Sequence, residues 1–189
     1  MSQRVPVDLA KSYRLLNHGP TVMVSSAAGG RINVMSAAWS MPLDFAPPKV
    51  AVVIDKSTFT RELVEASGEF VLNVPTRALA RMTLDVGGAS GREVDKFAAF
   101  GVGHVPGSVV KAPLIEGCVA WLECRLIPEP QIQQAYDLFL GEVVAAWADP
   151  GAFEDGHWKP EQGGQRSIHY VAGGHFFETG EAFEIEGVR

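Results

Sequence analysis

Two short segments carry residue types suited to a planar ligand that bears a phosphate. Residues 33–38 (NVMSAA) are rich in small side chains, which let a flat ring approach the backbone and accept hydrogen bonds from its N–H groups. Residues 55–61 (DKSTFTR) place a lysine and hydroxyl groups between a buried strand and the start of a helix. Hydroxyls, a cation, free N–H groups and the helix dipole together favour a phosphate. A ring site beside a phosphate site predicts a flavin nucleotide.

The same residues also have ordinary structural interpretations. Ser57 and Thr58 could mark a strand exit and a helix cap, since serine and threonine are common caps. Asn33 could be a turn or bulge residue. Trp39 is expected to pack in the core, because an indole buries a large apolar area. Arg61 is expected to be a solvated helix residue, with phosphate contact as the alternative.

Other classes of site are not supported by their motifs. Gly101 and Gly103 begin a dinucleotide fingerprint, but the next glycine, Gly107, comes one position too late. Ser90 lacks the glycine that would complete a hydrolase nucleophile elbow. The 5 histidines show no metal-ligand spacing, and no histidine stands at ligand spacing from either cysteine. We therefore expect no metal site.

The order of the elements predicts a mainly β protein with short helices. Residues 21–26 and 32–40 are typical of a hairpin that turns at Gly29-Gly30. Further strands are predicted over residues 49–55, 69–74, 114–127 and 135–148, with short closing elements at 167–170 and 175–178. Short helices are predicted over residues 58–66, from 76 to about 85, and over 95–100, with a flexible glycine-rich stretch at 86–92 and a loop at 149–165. Since long βαβ spacing is scarce, one barrel domain over residues 1–189 fits better than a parallel sheet.

Composition and charge restrict the partners. The chain of 189 residues is 47% hydrophobic and 20% charged, with a net charge of −6. A general nucleic-acid binder would need a basic face, so none is expected. Residues 1–11 are polar and the longest aliphatic runs are short, which predicts neither a signal peptide nor a membrane span. Cys118 and Cys124, placed on one predicted strand about 20 Å apart, are beyond disulfide reach, and two free thiols predict a cytoplasmic protein.

Seven segments stand in a recognisable order, namely residues 33–39 (NVMSAAW), 55–60 (DKSTFT), 68–73 (GEFVLN), 90–97 (SGREVDKF), 112–115 (APLI), 122–124 (LEC) and 141–144 (GEVV). Their joint order resembles the flavin reductase-like FMN-binding split-barrel family, and its flavoredoxin-type members in particular. The resemblance covers residues 17–181. It implies a homodimer of FMN-binding split β-barrels, with FMN (flavin mononucleotide) in a groove at or near the subunit interface.

The resemblance also implies which residues hold FMN. The residues that would line the ring and the ribityl chain are Asn33, Met35, Ser36, Ala37 and Ala38. The residues that would take the phosphate and the adjacent ribityl oxygens are Lys56, Ser57, Thr58 and Thr60. Two more, from the same or the partner subunit, would close the groove, namely Lys96 and Phe97.

The implied reaction is hydride transfer from NADH or NADPH to the flavin, followed by electron release to a small-molecule or protein acceptor. The cofactor carries this chemistry, so no side chain need act as a general acid or base. Many family members carry an Asp-His pair before the Gly-Glu-Val strand, whereas this chain has Tyr136-Asp137. That removes the basis for a His-dependent nicotinamide contact there, and His175 is a weak substitute. The alternatives are an electron-transfer flavoprotein without NAD(P)H turnover and a flavin-free ligand-binding barrel.

Overall fold

Antiparallel strands are the main secondary structure of the computed structural model, which describes residues 4–159, 165–183, 185 and 187. The strands are β1 (Val5–Pro6), β2 (Val22–Ala28), β3 (Arg31–Ala37), β4 (Ser40–Phe45), β5 (Pro48–Val53), β6 (Glu69–Val74), β7 (His104–Val105), β8 (Leu114–Ile115), β9 (Ala120–Ile127), β10 (Leu138–Ala148), β11 (Phe153–Glu154), β12 (His157–Trp158), β13 (Ile168–Ala172) and β14 (His175–Glu178). The helices are α1 (Phe59–Ser67), α2 (Ala80–Gly88), α3 (Lys96–Phe100) and α4 (Pro130–Tyr136), with 3-10 turns over Leu9–Leu15 and Arg77–Leu79. The prediction of a mainly β protein with short helices is confirmed.

The main sheet follows the order β3-β2-β6-β9-β10-β5-β4, and β1 pairs with the end of β10. Its pairings are all antiparallel in the described residues. The central strands are buried: Phe70 and Leu72 of β6 and Leu122 of β9 are 0% exposed. This apolar interior fixes the positions of β3 and β5, whose ends carry the candidate site.

Local signals place the first hairpin and the first helix. Gly29 and Gly30 have φ angles of +58° and +77°, which glycine adopts without steric cost, and they join β2 to β3 as predicted. The Thr58 hydroxyl accepts a hydrogen bond from the Arg61 N–H and so caps α1. Gly68 ends this helix in the left-handed conformation, at φ +69°.

Two predicted strands have wrong bounds: one is divided in two, and the other begins later than predicted. The segment 114–127 divides into β8 and β9, because Gly117 (φ +81°) turns the chain and the Trp121 indole donates to the Ile115 carbonyl at 2.8 Å. Cys118 therefore lies outside β9, whereas Cys124 lies within it, and both thiols are free and buried. The segment predicted to begin a strand at residue 135 is helical until Tyr136, and β10 begins only after the left-handed Asp137 (φ +54°).

Two segments are more ordered than their composition indicates. Helix α2 continues to Gly88, so the stretch predicted to be flexible from residue 86 is helical over its first three positions. The predicted loop from residue 149 contains the β11–β12 hairpin, while residues 160–164 lie outside the described residues. None of the helices in the described part combines the length and apolarity needed to cross a bilayer.

Candidate functional site

A groove of about 700 Å³ opens beside the ends of β3 and β5. Helix α2, the turn after α4 and the β13–β14 hairpin supply its other walls. Its volume falls within the range of about 300–1,000 Å³ that is usual for small-molecule sites. The groove is therefore large enough to accept a cofactor-sized ligand.

The end of β3 provides one wall made of small and flexible side chains. Met35, Ser36, Ala37 and Ala38 all line the groove, so the structure brings together these predicted ring-contact residues. On the facing helix, Gly87 leaves no room for a side chain, since a Cβ there would lie 2.1 Å from the Ser36 Oγ. The close approach of α2 to β3 thus depends on this glycine.

Lys96 and Phe97 lie behind this wall and do not line the groove. The Lys96 Nζ is buried and donates hydrogen bonds to the carbonyl oxygens of Val34 (2.9 Å) and Val86 (2.6 Å). Burial lowers the pKa of Lys96 to about 8. Phe97 packs in the same cluster as Val34 and Val86. The lysine therefore ties β3 to the end of α2, the two elements that flank the groove.

Asn33 and Thr60 are also set back from the groove. The Asn33 Nδ2 donates to the Thr60 Oγ1 at 2.8 Å, and both residues are buried. This hydrogen bond links β3 to α1. Gly91 packs directly against it, since a Cβ at Gly91 would lie 2.2 Å from the Asn33 Oδ1.

The predicted phosphate residues lie where β5 leads into α1, next to the groove. Lys56 and Ser57 are exposed and Thr58 is partly exposed. The Ser57 hydroxyl and N–H both donate to the Asp55 Oδ1, at 2.6 and 2.7 Å, and Asp55 itself lines the groove. These hydrogen bonds, the hydroxyl first, lower the pKa of Asp55. Asp55 thus joins the groove to the N-terminus of α1.

Two arginines that the sequence reasoning missed lie at the same end of the site. The Arg31 guanidinium lies 4.2 Å from the Phe59 ring centre and donates to the Gly91 carbonyl at 2.9 Å. Arg92 donates to the Ser57 carbonyl at 2.6 Å and pairs with Glu62. The family resemblance includes residues 90–97, but nothing in their spacing predicts that Arg92 contacts the start of α1.

Arg61 is 5% exposed, so the expectation of a solvated helix residue was wrong. Its guanidinium donates to Glu65 at 2.8 Å, to Asp137 at 2.5 Å and to the Gln133 carbonyl at 3.0 Å. It also lies 5.2 Å from the centre of the Phe139 ring. Asp137 lines the groove, so this buried arginine fixes a groove wall from behind.

Aromatic side chains surround the mouth of the groove. Trp39 is 75% exposed and Tyr136 is 71% exposed, so the expectation that Trp39 packs in the core was wrong. Tyr170 and Phe176 of the β13–β14 hairpin line the other side, with ring centres 5.3 Å apart in an edge-to-face arrangement. Within the described ranges, no cluster of three or more His, Cys, Asp or Glu side chains could hold a metal ion.

Known relatives are similar along most of the chain. The Escherichia coli protein YddH is 45% identical over 184 residues, which cover 96% of this chain and 97% of that protein. The FMN reductase (NADH) RutF of Ancylobacter novellus is 28% identical over 124 residues, which cover 66% of this chain and 65% of that protein.

Solved structures are similar in fold. An FMN-binding domain of a flavin reductases-like enzyme from Shewanella baltica has a TM-score of 0.95 and 49% identity, and the match covers 98% of both chains. The flavoredoxin of Desulfovibrio vulgaris has a TM-score of 0.78 and 27% identity, covering 89% of this chain and 91% of that one. The predicted split-barrel fold is confirmed.

The family described as "flavin reductase like domain" matches residues 13–168, most of the chain. The match includes β3, the N-terminus of α1 and helix α2, and it ends at the first residue of β13. The chain therefore belongs to the flavin reductase-like family of FMN-binding split-barrel proteins.

Proposed function

We propose that this protein binds FMN in the groove and acts as an NAD(P)H-dependent, flavin-linked reductase. The observation that carries the proposal is the wall of small residues on β3, faced by Gly87 and continued by Asp55 to the hydroxyls and lysine at the start of α1. The similarity to an FMN-binding Shewanella baltica protein and to an FMN reductase (NADH) supports it.

The flavin ring would lie along the β3 wall, against Met35, Ser36, Ala37 and Ala38. The facing helix presents Gly87 and Gly88, which add no side chains to the groove. A wall of small residues suits a flat ring, because dispersion energy comes from atoms in direct contact with the ring face. The groove volume of about 700 Å³ leaves room for a second planar molecule at its mouth.

The phosphate would lie at the start of α1, where Lys56, Ser57 and Thr58 are accessible. The first N–H groups of a helix have no partner inside the helix and favour an anion. Arg31 adds positive charge at this end, whereas the charge of Arg92 is paired with Glu62. A local cluster of positive charge is needed to bind a phosphate, because the net charge of the chain is −6.

The other predicted contacts would act as positioning residues. Asn33 and Thr60 hold β3 against α1 through one hydrogen bond. Lys96 and Phe97 would close the groove from behind, where Lys96 ties β3 to α2. Bound FMN supplies the hydride-accepting and electron-releasing chemistry, and these side chains orient it.

We also propose a homodimer that forms through the exposed face of β4. On this edge strand the side chains alternate, and Met41, Leu43 and Phe45 are 51%, 46% and 63% exposed. A contiguous apolar face on an edge strand marks an interaction surface. Trp39, directly before this strand, lines the groove, so a partner that covers β4 would also border the cofactor site.

We further propose a cytoplasmic location and a single domain over residues 1–189. Both cysteines are free and buried, which fits a reducing compartment. The family match over residues 13–168 supports one continuous domain.

FMN titration of the apoprotein tests the phosphate site. We expect Lys56→Ala with Ser57→Ala to weaken FMN binding about tenfold or more, since a hydrogen bond to a charged group contributes about 1.5–3 kcal/mol. Lys111→Ala, at another exposed lysine, is the matched control and should bind FMN as the wild type does. Equal FMN affinity in the double variant and the control would exclude this phosphate site.

Anaerobic titration with NADH and NADPH separates the reductase from its rival, an electron carrier. The second candidate function is an electron carrier. It is favoured by the similarity to a flavoredoxin and by the absence of the family's Asp-His pair, where this chain has Tyr136-Asp137. Bleaching of the bound flavin by either nucleotide supports the reductase. If neither nucleotide bleaches the flavin, while dithionite does, the protein is a carrier.

Sedimentation tests the dimer. The wild type should sediment as a dimer at micromolar concentration, and Leu43→Lys with Phe45→Lys should sediment as a folded monomer. A wild-type monomer, or a double variant that remains dimeric, would contradict the proposed interface.

A further inference from the structure

The mouth of the groove is built to contact a planar ring. Trp39, Tyr136, Tyr170 and Phe176 border it, and the first two are largely exposed. Aromatic faces stack on flat conjugated rings and bury a large apolar area. A second ligand that enters after the cofactor would meet these side chains first.

The charges along the groove have one sign. Asp55 and Asp137 are acidic, and no lysine, arginine or histidine lines the groove within the described residues. Arg61 is shared between Asp137 and Glu65, so this three-residue cluster keeps one net negative charge. Asp55 accepts its hydrogen bonds from the neutral Ser57, which favours its charged form.

Bound FMN would leave the negative charge of the groove uncompensated. Lys56 lies beside Asp55, but under the proposed function it contacts the phosphate. A phosphate group carries about −1.5 to −2 charges near neutral pH, which takes up the charges of Lys56 and Arg31, while Arg92 is paired with Glu62. The carboxylates of Asp55 and Asp137 therefore determine the sign of the charge at the mouth. A ring that carries an anionic substituent would therefore meet net repulsion at the mouth, whereas an uncharged ring, such as the dihydronicotinamide of NAD(P)H, would not.

We propose that the electron acceptor is a neutral, planar, conjugated ring carbonyl of the quinone class, and that anionic acceptors such as carboxylate chelates of ferric iron are disfavoured. The inference rests on the proposed FMN-dependent function. In the overall reaction NAD(P)H, one proton and a quinone give NAD(P)⁺ and a hydroquinone. The nicotinamide loses a hydride, and the quinone gains two electrons and two protons.

Equilibrium dialysis with a matched pair of probes tests this without turnover. The probes are 1,4-naphthoquinone and 1,4-naphthoquinone-2-sulfonate, which share a ring system and differ by one negative charge. The protein is loaded with oxidised FMN, its FMN content is measured first, and no electron donor is present. We expect the neutral probe to bind about tenfold tighter or more, because like-charge contacts are costly at a desolvated site. Equal or tighter binding of the sulfonate, or no binding of either probe, would overturn the inference.

Variants identify the source of the selectivity. Tyr136→Leu, at an exposed position, should weaken the binding of both probes by the same factor and leave their ratio unchanged. Asp137→Asn keeps the side-chain shape and removes one charge. It should therefore reduce the preference for the neutral probe over the sulfonate, while FMN remains bound. Asp55→Asn is a second single variant, tested in the same way. If neither variant, loaded with FMN, changes the ratio of the two probe affinities, the carboxylates do not cause the selectivity.

Failure of the proposed function and failure of the acceptor class give different results. Protein that takes up no FMN would contradict the proposed function before any probe is added. Protein that is fully loaded but does not prefer the neutral probe would contradict only the acceptor class. Reoxidation of photoreduced protein by each quinone adds a measurement that does not depend on NAD(P)H.

Discussion

The Arg61 guanidinium donates to the Asp137 carboxylate at 2.5 Å and so joins the first helix to a turn in the groove wall. Asp137 has a φ angle of +54°, a left-handed conformation that non-glycine residues adopt at an energetic cost. The same arginine also donates to the carbonyl of Gln133, one helical turn earlier. These contacts hold Asp137, and with it the neighbouring Tyr136, in place beside the groove.

We expect Arg61→Leu to destabilise the protein by about 3 kcal/mol, because removing one partner leaves Asp137 with an unpaired, largely buried charge. FMN affinity should fall as well, since the turn at Tyr136 is released. Urea unfolding and FMN dialysis measure the two effects. The control is Arg81→Leu, which removes an exposed pair with Asp85 and should cost about 0.5 kcal/mol or less. Similar losses in the two variants would contradict the role of Arg61.

Gly87→Ala should weaken FMN binding with little loss of stability. The new Cβ would lie 2.1 Å from the Ser36 Oγ, so either Ser36 must rotate or α2 must shift away from β3. Both changes alter the wall along which the ring is proposed to lie. FMN titration and urea unfolding of each variant measure the two quantities.

Two further variants make this prediction specific. Gly180→Ala, outside the groove, has open space around its Cβ and should bind FMN as the wild type does. Adding Ser36→Ala to Gly87→Ala removes the clashing oxygen, since the Ser36 Cβ is 3.5 Å from the new atom, and should restore most of the affinity. If the double variant binds no better than Gly87→Ala, the loss has another cause.

Elements with local signals could be predicted from the sequence. Gly29 and Gly30 mark the first hairpin, and Gly68 ends α1, because glycine adopts positive φ angles without steric cost. The break at Gly117 was missed because the residues on both sides of Glu116-Gly117 are mostly apolar and were joined into one strand. Helix α4 was missed because its sequence, PQIQQAY, has no apolar periodicity. The apolar pattern of β10 begins only after this helix, at Leu138.

The site could be predicted only as far as its local segments. Ser36 and Ala37 belong to the small-residue pattern of β3, Met35 follows from the family resemblance, and all three line the groove. The burial of Arg61 and Lys96 could not be predicted, since charged side chains are usually solvated and their partners are distant in sequence. Arg61 pairs with Asp137, 76 positions away, and Lys96 reaches Val34, 62 positions away. Such contacts are fixed by tertiary packing alone.

Lys96→Met should lower both stability and FMN affinity. Methionine keeps most of the apolar stem but leaves the buried carbonyls of Val34 and Val86 without their donor. Each unsatisfied group costs about 1–3 kcal/mol, and loss of the ammonium removes a desolvation cost, so we expect a net loss of about 2 kcal/mol. Lys111→Met, at an exposed lysine, should change neither quantity by a measurable amount. A stable Lys96→Met variant with wild-type FMN affinity would show that Lys96 does not position the walls.

His18 should make the protein less stable in mild acid. Burial, and then the nearby His169, lower the pKa of His18 to about 4 in the folded state, and its Nε2 lies 2.7 Å from the Ser167 Oγ. An unfolded histidine titrates near pH 6.5, so between about pH 4 and 6.5 the unfolded state binds more protons on His18 than the folded state does. The contribution of the neutral imidazole is therefore complete above pH 6.5 and is lost as the pH falls towards 4.

Urea unfolding at pH 7.5, 6 and 5 measures this loss. It should approach about 1.4 kcal/mol per pH unit inside the window, and His18→Gln should flatten that part of the profile. His175→Gln, at an exposed histidine, should leave the slope as it is in the wild type. If the His18→Gln profile keeps the wild-type slope, the acid sensitivity arises from another group, because glutamine does not titrate in this range.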